Sequence, residues 1–126
     1  MSGKTDDGPG DSALRDLALM RRVAANDEGA VAELYDRFAS LVYRMAFQAT
    51  PARVEAEDAV QEIFVRLWRT AGRYAPSRAA LVTWVMLISR RHLVDRLRRR
   101  RARVKASSLD GSPSTQPEAA IAGLSG

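Results

Sequence analysis

Between residues 31 and 49 the apolar side chains Val31, Leu34, Tyr35, Phe38, Leu41, Val42, Met45, Ala46 and Ala49 recur at steps of three and four. That spacing lays an apolar stripe along one side of an α-helix and does not fit the period of two that a half-buried strand requires. Asp27 stands where an N-cap is needed. Thr50-Pro51 closes the segment, because the residue before proline is pushed out of the α region. A helix with so clean a stripe is stable only when other helices cover it, and this requirement shapes the rest of the chain.

Three further segments can supply that cover. From Ser12, a plausible N-cap, "ALRDLALMRRVAAN" sets Leu14, Leu17, Ala18 and Arg21 on a helical spacing up to Asn26. A third helix opens near Pro51, with Glu55, Glu57 and Asp58 in or near its first turns, where carboxylates complement the helix dipole. Its stripe is Ala56, Ala59, Val60, Ile63, Phe64, Leu67, Trp68 and Ala71, with Gly72 as its stop. A proline-containing loop, "RYAPSR" at 73 to 78, leads to a fourth helix carrying Leu81, Trp84, Val85, Ile88, Val94 and Leu97.

No segment alternates as a strand does, and there is no internal repeat. The expected fold is all-α, a compact bundle of about four helices over residues 12 to 104. Residues 1 to 11 read as a disordered lead, and residues 105 to 126, rich in Ser, Gly, Pro and Ala, as a flexible linker or tail. A linker that leads to nothing is what a domain separated from a longer chain would carry.

Composition removes several functions. The chain has no cysteine, hence no disulfide framework, thiolate metal site or thiol nucleophile. "MSGKTDDGPGDS" lacks the apolar core of a secretory signal, and "AALVTWVMLIS" is far short of the roughly 20 residues of a membrane-spanning helix. A cytoplasmic protein is expected. Ser89, His92 and Asp95 would line up along one side of a single helix, whereas a hydrolytic triad converges from separate elements. His92 is the only histidine, so no two-histidine metal motif exists, and no glycine-rich phosphate loop is present. Neither catalysis nor a metal or cofactor is expected.

The charge is divided. Residues 1 to 62 hold seven Lys/Arg against twelve Asp/Glu, and residues 63 to 126 hold thirteen against three. Such a split suggests two partners, one of them polyanionic. Eight arginines fall within residues 90 to 103 and no lysine does, with Asp95 the only acid among them. A solvated helix end is one reading. A rail for bidentate phosphate contact is the other, favoured by the choice of arginine and by an apolar first half that anchors the helix. Tyr74 and Trp84 lie just upstream, where a base could stack on them; core packing is the alternative for Trp84. On the third helix the stripe leaves Asp58, Gln61, Glu62, Val65, Arg66 and Arg69 outward, with Val65 readable as an interface centre or as an ordinary surface valine.

"AEDAVQEIFVRLWR" (56 to 69) followed by "RYAPSRAALVTWVMLISRRHLVDRLRRRRAR" (73 to 103), with "AVAELYDRFASLVYRMAF" (30 to 47) before them, resembles the second conserved region of bacterial sigma factors of the extracytoplasmic-function (ECF) group. The resemblance covers roughly residues 13 to 104. It implies that Asp58, Gln61, Glu62, Val65 and Arg66 bind the clamp helices of the RNA polymerase largest subunit. It also implies that the loop from Tyr74 to Ala80, with Ser77 and Arg78, and the helix positions Thr83, Trp84, Arg90, Arg91, Arg98 and Arg99 engage the minus-ten element of promoter DNA and its melted non-template strand. Many relatives have an anti-sigma partner.

Two positions depart from the family's pattern. Arg91 stands where Asn is usual, and "APSRAA" where the loop is usually acidic and glycine-containing. The family's fourth region, a helix-turn-helix, has no counterpart after residue 105. Two other functions stay open on the sequence: a polymerase-binding regulator or decoy that opens no promoter, and a basic amphipathic helix lying on anionic membranes through Leu81 to Leu97.

Overall fold

The computed structural model describes residues 3 to 50 and 52 to 109. They form four α-helices and no strand: α1 (Gly3–Ala24), α2 (Glu28–Ala49), α3 (Arg53–Arg69) and α4 (Leu81–Leu109), with a 3₁₀ turn at Ala71–Arg73 between the last two. The all-α bundle expected from the periodicity is the fold observed.

α2 is the central member, packed on α1, α3 and α4. Its buried residues are Leu34, Phe38, Val42 and Ala46 of the predicted stripe, and Ala30, which the stripe did not include. Asp27 caps it as predicted: one carboxylate oxygen accepts from the backbone N–H groups of Gly29 (2.9 Å) and Ala30 (3.2 Å). The other accepts from Arg22 Nε at 3.1 Å, and this bond foremost, with the cap, holds the Asp27 carboxyl below its ordinary range. Asn26, at φ 65°, takes the left-handed conformation that lets α1 stop and α2 start within three residues; among non-glycine residues Asn is one of the few suited to it. At the far end Thr50 is extended (φ −141°, ψ 90°), as its place before proline requires.

Around this helix the core is filled by Met20 and Val23 of α1, Val60, Ile63 and Leu67 of α3, and Leu81 and Val85 of α4, all fully buried.

Several boundaries and faces differ from the sequence reading. α1 begins at Gly3, upstream of the Ser12 cap, and enters the core through Leu19, Met20 and Val23. Leu14, Ala18 and Arg21, placed on its stripe by spacing, are exposed; the helix carries two competing apolar lines, and contact with the rest of the bundle selects the other one. α3 starts at Arg53 and stops at Thr70, whose hydroxyl donates to Arg66 O at 2.7 Å. Gly72 is therefore not the stop but part of the following turn. α4 continues past Lys105 to Leu109, since nothing in "KASSL" breaks a helix. Residues 110 to 126, the remainder of the predicted linker, lie outside the described residues, as do Met1 and Ser2 of the lead.

Candidate nucleic-acid interface

α4 carries most of the candidate site, and its inner seam explains how the site is held. The seam runs through Leu81, Val85, Ser89, His92, Arg96 and Arg100, at helical steps of four and three. It begins apolar and ends charged. Leu81 and Val85 enter the core. Ser89 is buried and returns its hydroxyl to Val85 O at 2.7 Å. Below them the seam meets the acidic side of α3. Glu62 accepts from His92 Nε2 and from Arg96, each at 2.8 Å. Arg96 also lies 3.7 Å from both Glu55 and Asp58, Arg100 pairs with Glu55, and on the adjoining flank Arg66 lies 3.8 Å from Asp95.

Glu62 is half-buried. Its partial burial pushes the carboxyl up, but the hydrogen bonds from Arg96 and His92 outweigh that and hold it below the ordinary value of 4.5.

This polar seam corrects the reading of the arginine run as opposed by Asp95 alone. The eight arginines divide into a paired and an exposed set. Arg96 and Arg100 turn inward to α3, while Arg90, Arg91, Arg98, Arg99, Arg101 and Arg103 are exposed. Arg99 and Arg103 flank a cleft of about 440 Å³ at the α3–α4 junction, lined also by Glu55, Asp58, Arg96 and Arg100. Thr83, Arg90, Arg91, Arg98 and Arg101 share the outward side of the helix. Val94, predicted in the stripe, points out with them, and Leu93 is the buried neighbour. The apolar face that would have to lie on a lipid surface is turned into the protein at Leu81, Val85 and Leu93, and no helix is long and apolar enough to cross a membrane among the described residues.

The loop before α4 is fixed by Tyr74. Its ring is buried, meets Trp84 edge-on with centroids 5.5 Å apart, and its hydroxyl donates to Ala79 O at 3.1 Å; burial pushes the phenol pKa up. Tyr74 therefore shapes the loop from beneath. Ser77, Arg78 and Thr83 are exposed around it, and Trp84 is half-buried.

The residues singled out on α3 converge. Asp58, Gln61, Glu62, Val65 and Arg66 line one shallow cleft of about 480 Å³, together with Arg69, Thr70 and His92. Gln61 and Val65 are exposed, whereas Glu62 and Arg66 face the cleft with partners on α4 already in place. The sequence reading assigned Glu55 and His92 to no site and counted Arg96 and Arg100 only as part of the arginine rail. The available signal was the spacing of Glu55, Asp58 and Glu62 on one side of α3, matched by Arg96 and Arg100 one turn apart on α4.

Trp68 and Tyr35, both assigned to apolar stripes, are 41% exposed. The reason for Trp68 is its indole N–H, which donates to Asn26 Oδ1 at 2.8 Å and so keeps the ring at the surface.

The fold is that of an all-α domain with charged faces on two adjoining helices. The chain belongs to the sigma-70 region 2 family, whose model matches residues 34–103. It is similar to ECF RNA polymerase sigma factor SigK of Mycobacterium tuberculosis (strain ATCC 25618 / H37Rv) and of Mycobacterium bovis (strain ATCC BAA-935 / AF2122/97), with 32% identity over 112 residues, covering 84% of this chain and 60% of each relative. With SigK of Mycobacterium sp. (strain KMS) it shares 35% identity over 99 residues, covering 79% of this chain and 51% of the relative. The chain thus spans between half and three-fifths of the length of these curated relatives. No solved structure matches it.

Proposed function

We propose that this chain acts in transcription initiation as the core-binding and minus-ten-recognising part of an ECF sigma factor, in the cytoplasm, by binding and without bond chemistry. In this reading the α3 cleft of Asp58, Gln61, Glu62, Val65 and Arg66 receives the clamp helices of RNA polymerase. Gln61 and Val65 offer the free contact surface, Asp58 and Arg66 its charged edges, and Glu62 keeps α4 in register behind it.

The loop residues Ser77 and Arg78, over buried Tyr74, and Thr83, Trp84, Arg90, Arg91, Arg98 and Arg99 of α4 receive the non-template strand. Promoter opening is then capture of an unpaired base, which offsets the cost of unstacking.

The observation that supports this most is the division of the arginines. A helix end that only needed solubility has no reason to neutralise two guanidinium groups against α3 and leave the remaining six exposed and unpaired among the described residues. The phosphate backbone is the ligand such a surface fits.

The test is co-purification with RNA polymerase core. Asp58→Ala with Gln61→Ala should weaken core binding by about fivefold or more while far-UV circular dichroism stays unchanged, since both side chains are exposed. Undiminished binding by this variant removes the assignment. Core binding with no affinity for a minus-ten oligonucleotide, free or in complex, replaces it with the regulator or decoy reading.

A further inference from the structure

Asp16 on α1 and Arg37 on α2 lie outside both the α3 cleft and the outward side of α4. Arg37 donates from both terminal nitrogens to the two carboxylate oxygens of Asp16, at 2.7 and 3.3 Å, a bidentate geometry that fixes direction as well as distance. The Asp16 side chain is only 14% exposed, and the guanidinium stands 5.0 Å from the centre of the buried Phe38 ring. A pair between two freely solvated side chains contributes little; this one is held by a largely covered carboxylate and a core aromatic.

Next to it runs the segment that leads into the loop before α4. α1 packs on the 3₁₀ turn at Ala71–Arg73, where Ala71 is buried and Gly72 approaches the Ala24 side chain. The following residue is Tyr74, whose phenol feels both charges of the pair. Burial foremost, and then the Asp16 carboxylate, push its pKa up, and the Arg37 guanidinium offsets part of this. From Tyr74 the contacts lead on to the Trp84 ring and to Ala79 O.

The loop has no polar anchor of its own on the helices beneath it. Among the described residues, every hydrogen bond made by residues 74 to 80 stays between residues 71 and 84. Where the exposed Ser77 and Arg78 stand relative to the bundle therefore depends on how the Tyr74 ring is seated. Stacking on a base or reading its edge fails when the contact surface shifts by a fraction of a side chain, whereas attraction to phosphate falls slowly with distance.

We propose that Asp16 and Arg37 are positioning residues for minus-ten recognition: the pair locks α1 to α2 beside Tyr74, and through that ring sets where Ser77, Arg78 and Trp84 meet an unpaired base. The pair touches no nucleotide itself, and its role rests on the reading of the loop as a DNA contact.

The test uses the full chain bound to RNA polymerase core and short single-stranded DNA of random sequence. Strands retained by the wild-type complex are compared with the unselected pool, and the ratio of the two affinities measures base discrimination. In Asp16→Asn, which keeps an acceptor but loses the charge and the bidentate bond, that ratio should fall about fivefold or more, the scale of one misplaced base contact. Polymerase binding and the salt dependence should stay as in wild type, and the fold is kept because both side chains lie outside the hydrophobic core. In NMR spectra of the full chain the Trp84 indole N–H resonance should move, with that of Trp68 in place. Ile63→Val, which loosens the hydrophobic core and leaves the pair intact, should keep the ratio. Unchanged discrimination in Asp16→Asn, an unmoved Trp84 resonance, or an equal loss in Ile63→Val overturns the proposal and leaves the promoter reading standing. A wild-type complex that retains no sequence over another removes the loop as a base contact, and the role of the pair with it.

Discussion

Arg96 and Arg99 lie three positions apart in the same run, yet the structure gives them opposite work, and replacing each by glutamine separates the two. Arg96 is only 19% exposed, bonded to Glu62 at 2.8 Å and within 3.7 Å of Asp58. Its loss removes a charge-assisted hydrogen bond and leaves Glu55, Asp58 and Glu62 as like charges along one side of α3.

Two unit charges 4 Å apart at an effective dielectric of 20 interact by about 4 kcal/mol, an upper bound. Glu62 is 39% exposed, so screening and desolvation reduce the net term toward about 1–2 kcal/mol, to which carboxylate repulsion adds about 0.2–0.5 kcal/mol per pair. Arg96→Gln should therefore destabilise by about 2 kcal/mol, or several degrees in Tm. Arg99→Gln should stay within about 0.5 kcal/mol of wild type.

Urea unfolding at pH 7, followed by far-UV circular dichroism with a shared m-value, measures both. A cycle with Glu62→Gln isolates the pair, with an expected coupling of about 1 kcal/mol. Equal stability of the two single variants, or a coupling below about 0.3 kcal/mol, refutes the division of the arginines into inward and outward sets.

Three further outcomes follow from the same geometry. Replacing Arg98, Arg99 and Arg101 by Gln should flatten the log–log salt dependence of binding to a single-stranded minus-ten oligonucleotide, with and without core, by about two to three units; an unchanged slope means that these groups meet only water. Tyr74→Phe should cost about 1 kcal/mol in thermal or urea unfolding through the lost bond to Ala79 and should loosen the loop before α4; a stability identical to wild type denies that bond a role. The Glu62 carboxyl has a folded-state pKa below its ordinary 4.5, so its contribution is present above that value and is lost as pH falls through the lower folded-state pKa. The stability gap between wild type and Glu62→Gln, present at pH 7, should accordingly shrink below about pH 4.5 and close in stronger acid, and a gap that persists there excludes the assignment.

What could be read from the sequence was what depends on neighbours in the chain. Asp27 caps a helix two residues ahead of it, Thr50 is constrained by the next residue, and the stripe of α2 repeats within single turns. The apolar stripe of α4 was legible through Val85 and Ile88, which packs on the core. Beyond it the inward residues are Ser89, His92, Leu93, Arg96 and Arg100, mostly polar positions that a search for apolar periodicity passes over, so Val94 was put in place of Leu93. Their partners Glu55 and Glu62 lie 30 to 45 residues away, and pairing at that distance leaves no local mark beyond two complementary spacings. Trp68 failed for a related reason: its ring follows the stripe, but one hydrogen bond to Asn26 across the bundle decides that it stays outside. The faces proposed on α3 and α4 take their roles from the resemblance, whereas which of their side chains are free and which already engaged is tertiary information.

α4 is one uninterrupted helix of 29 residues, about 43 Å long, held in the core through Leu81, Val85 and Leu93 and carrying exposed arginines beyond them. The side on which Arg96 and Arg100 meet α3 is therefore fixed as on a camshaft, by angular phase measured along the helix. One residue added or removed between Ser89 and Arg96 turns everything beyond it by about 100°. Arginines meant for solvent would then face the carboxylates of α3, and Arg96 would be carried out to where the others had been. A stretch of such uniform chemistry looks interchangeable in composition, but in this arrangement its length is held more strictly than its letters: arginine for arginine is silent, and a slip of one position is not.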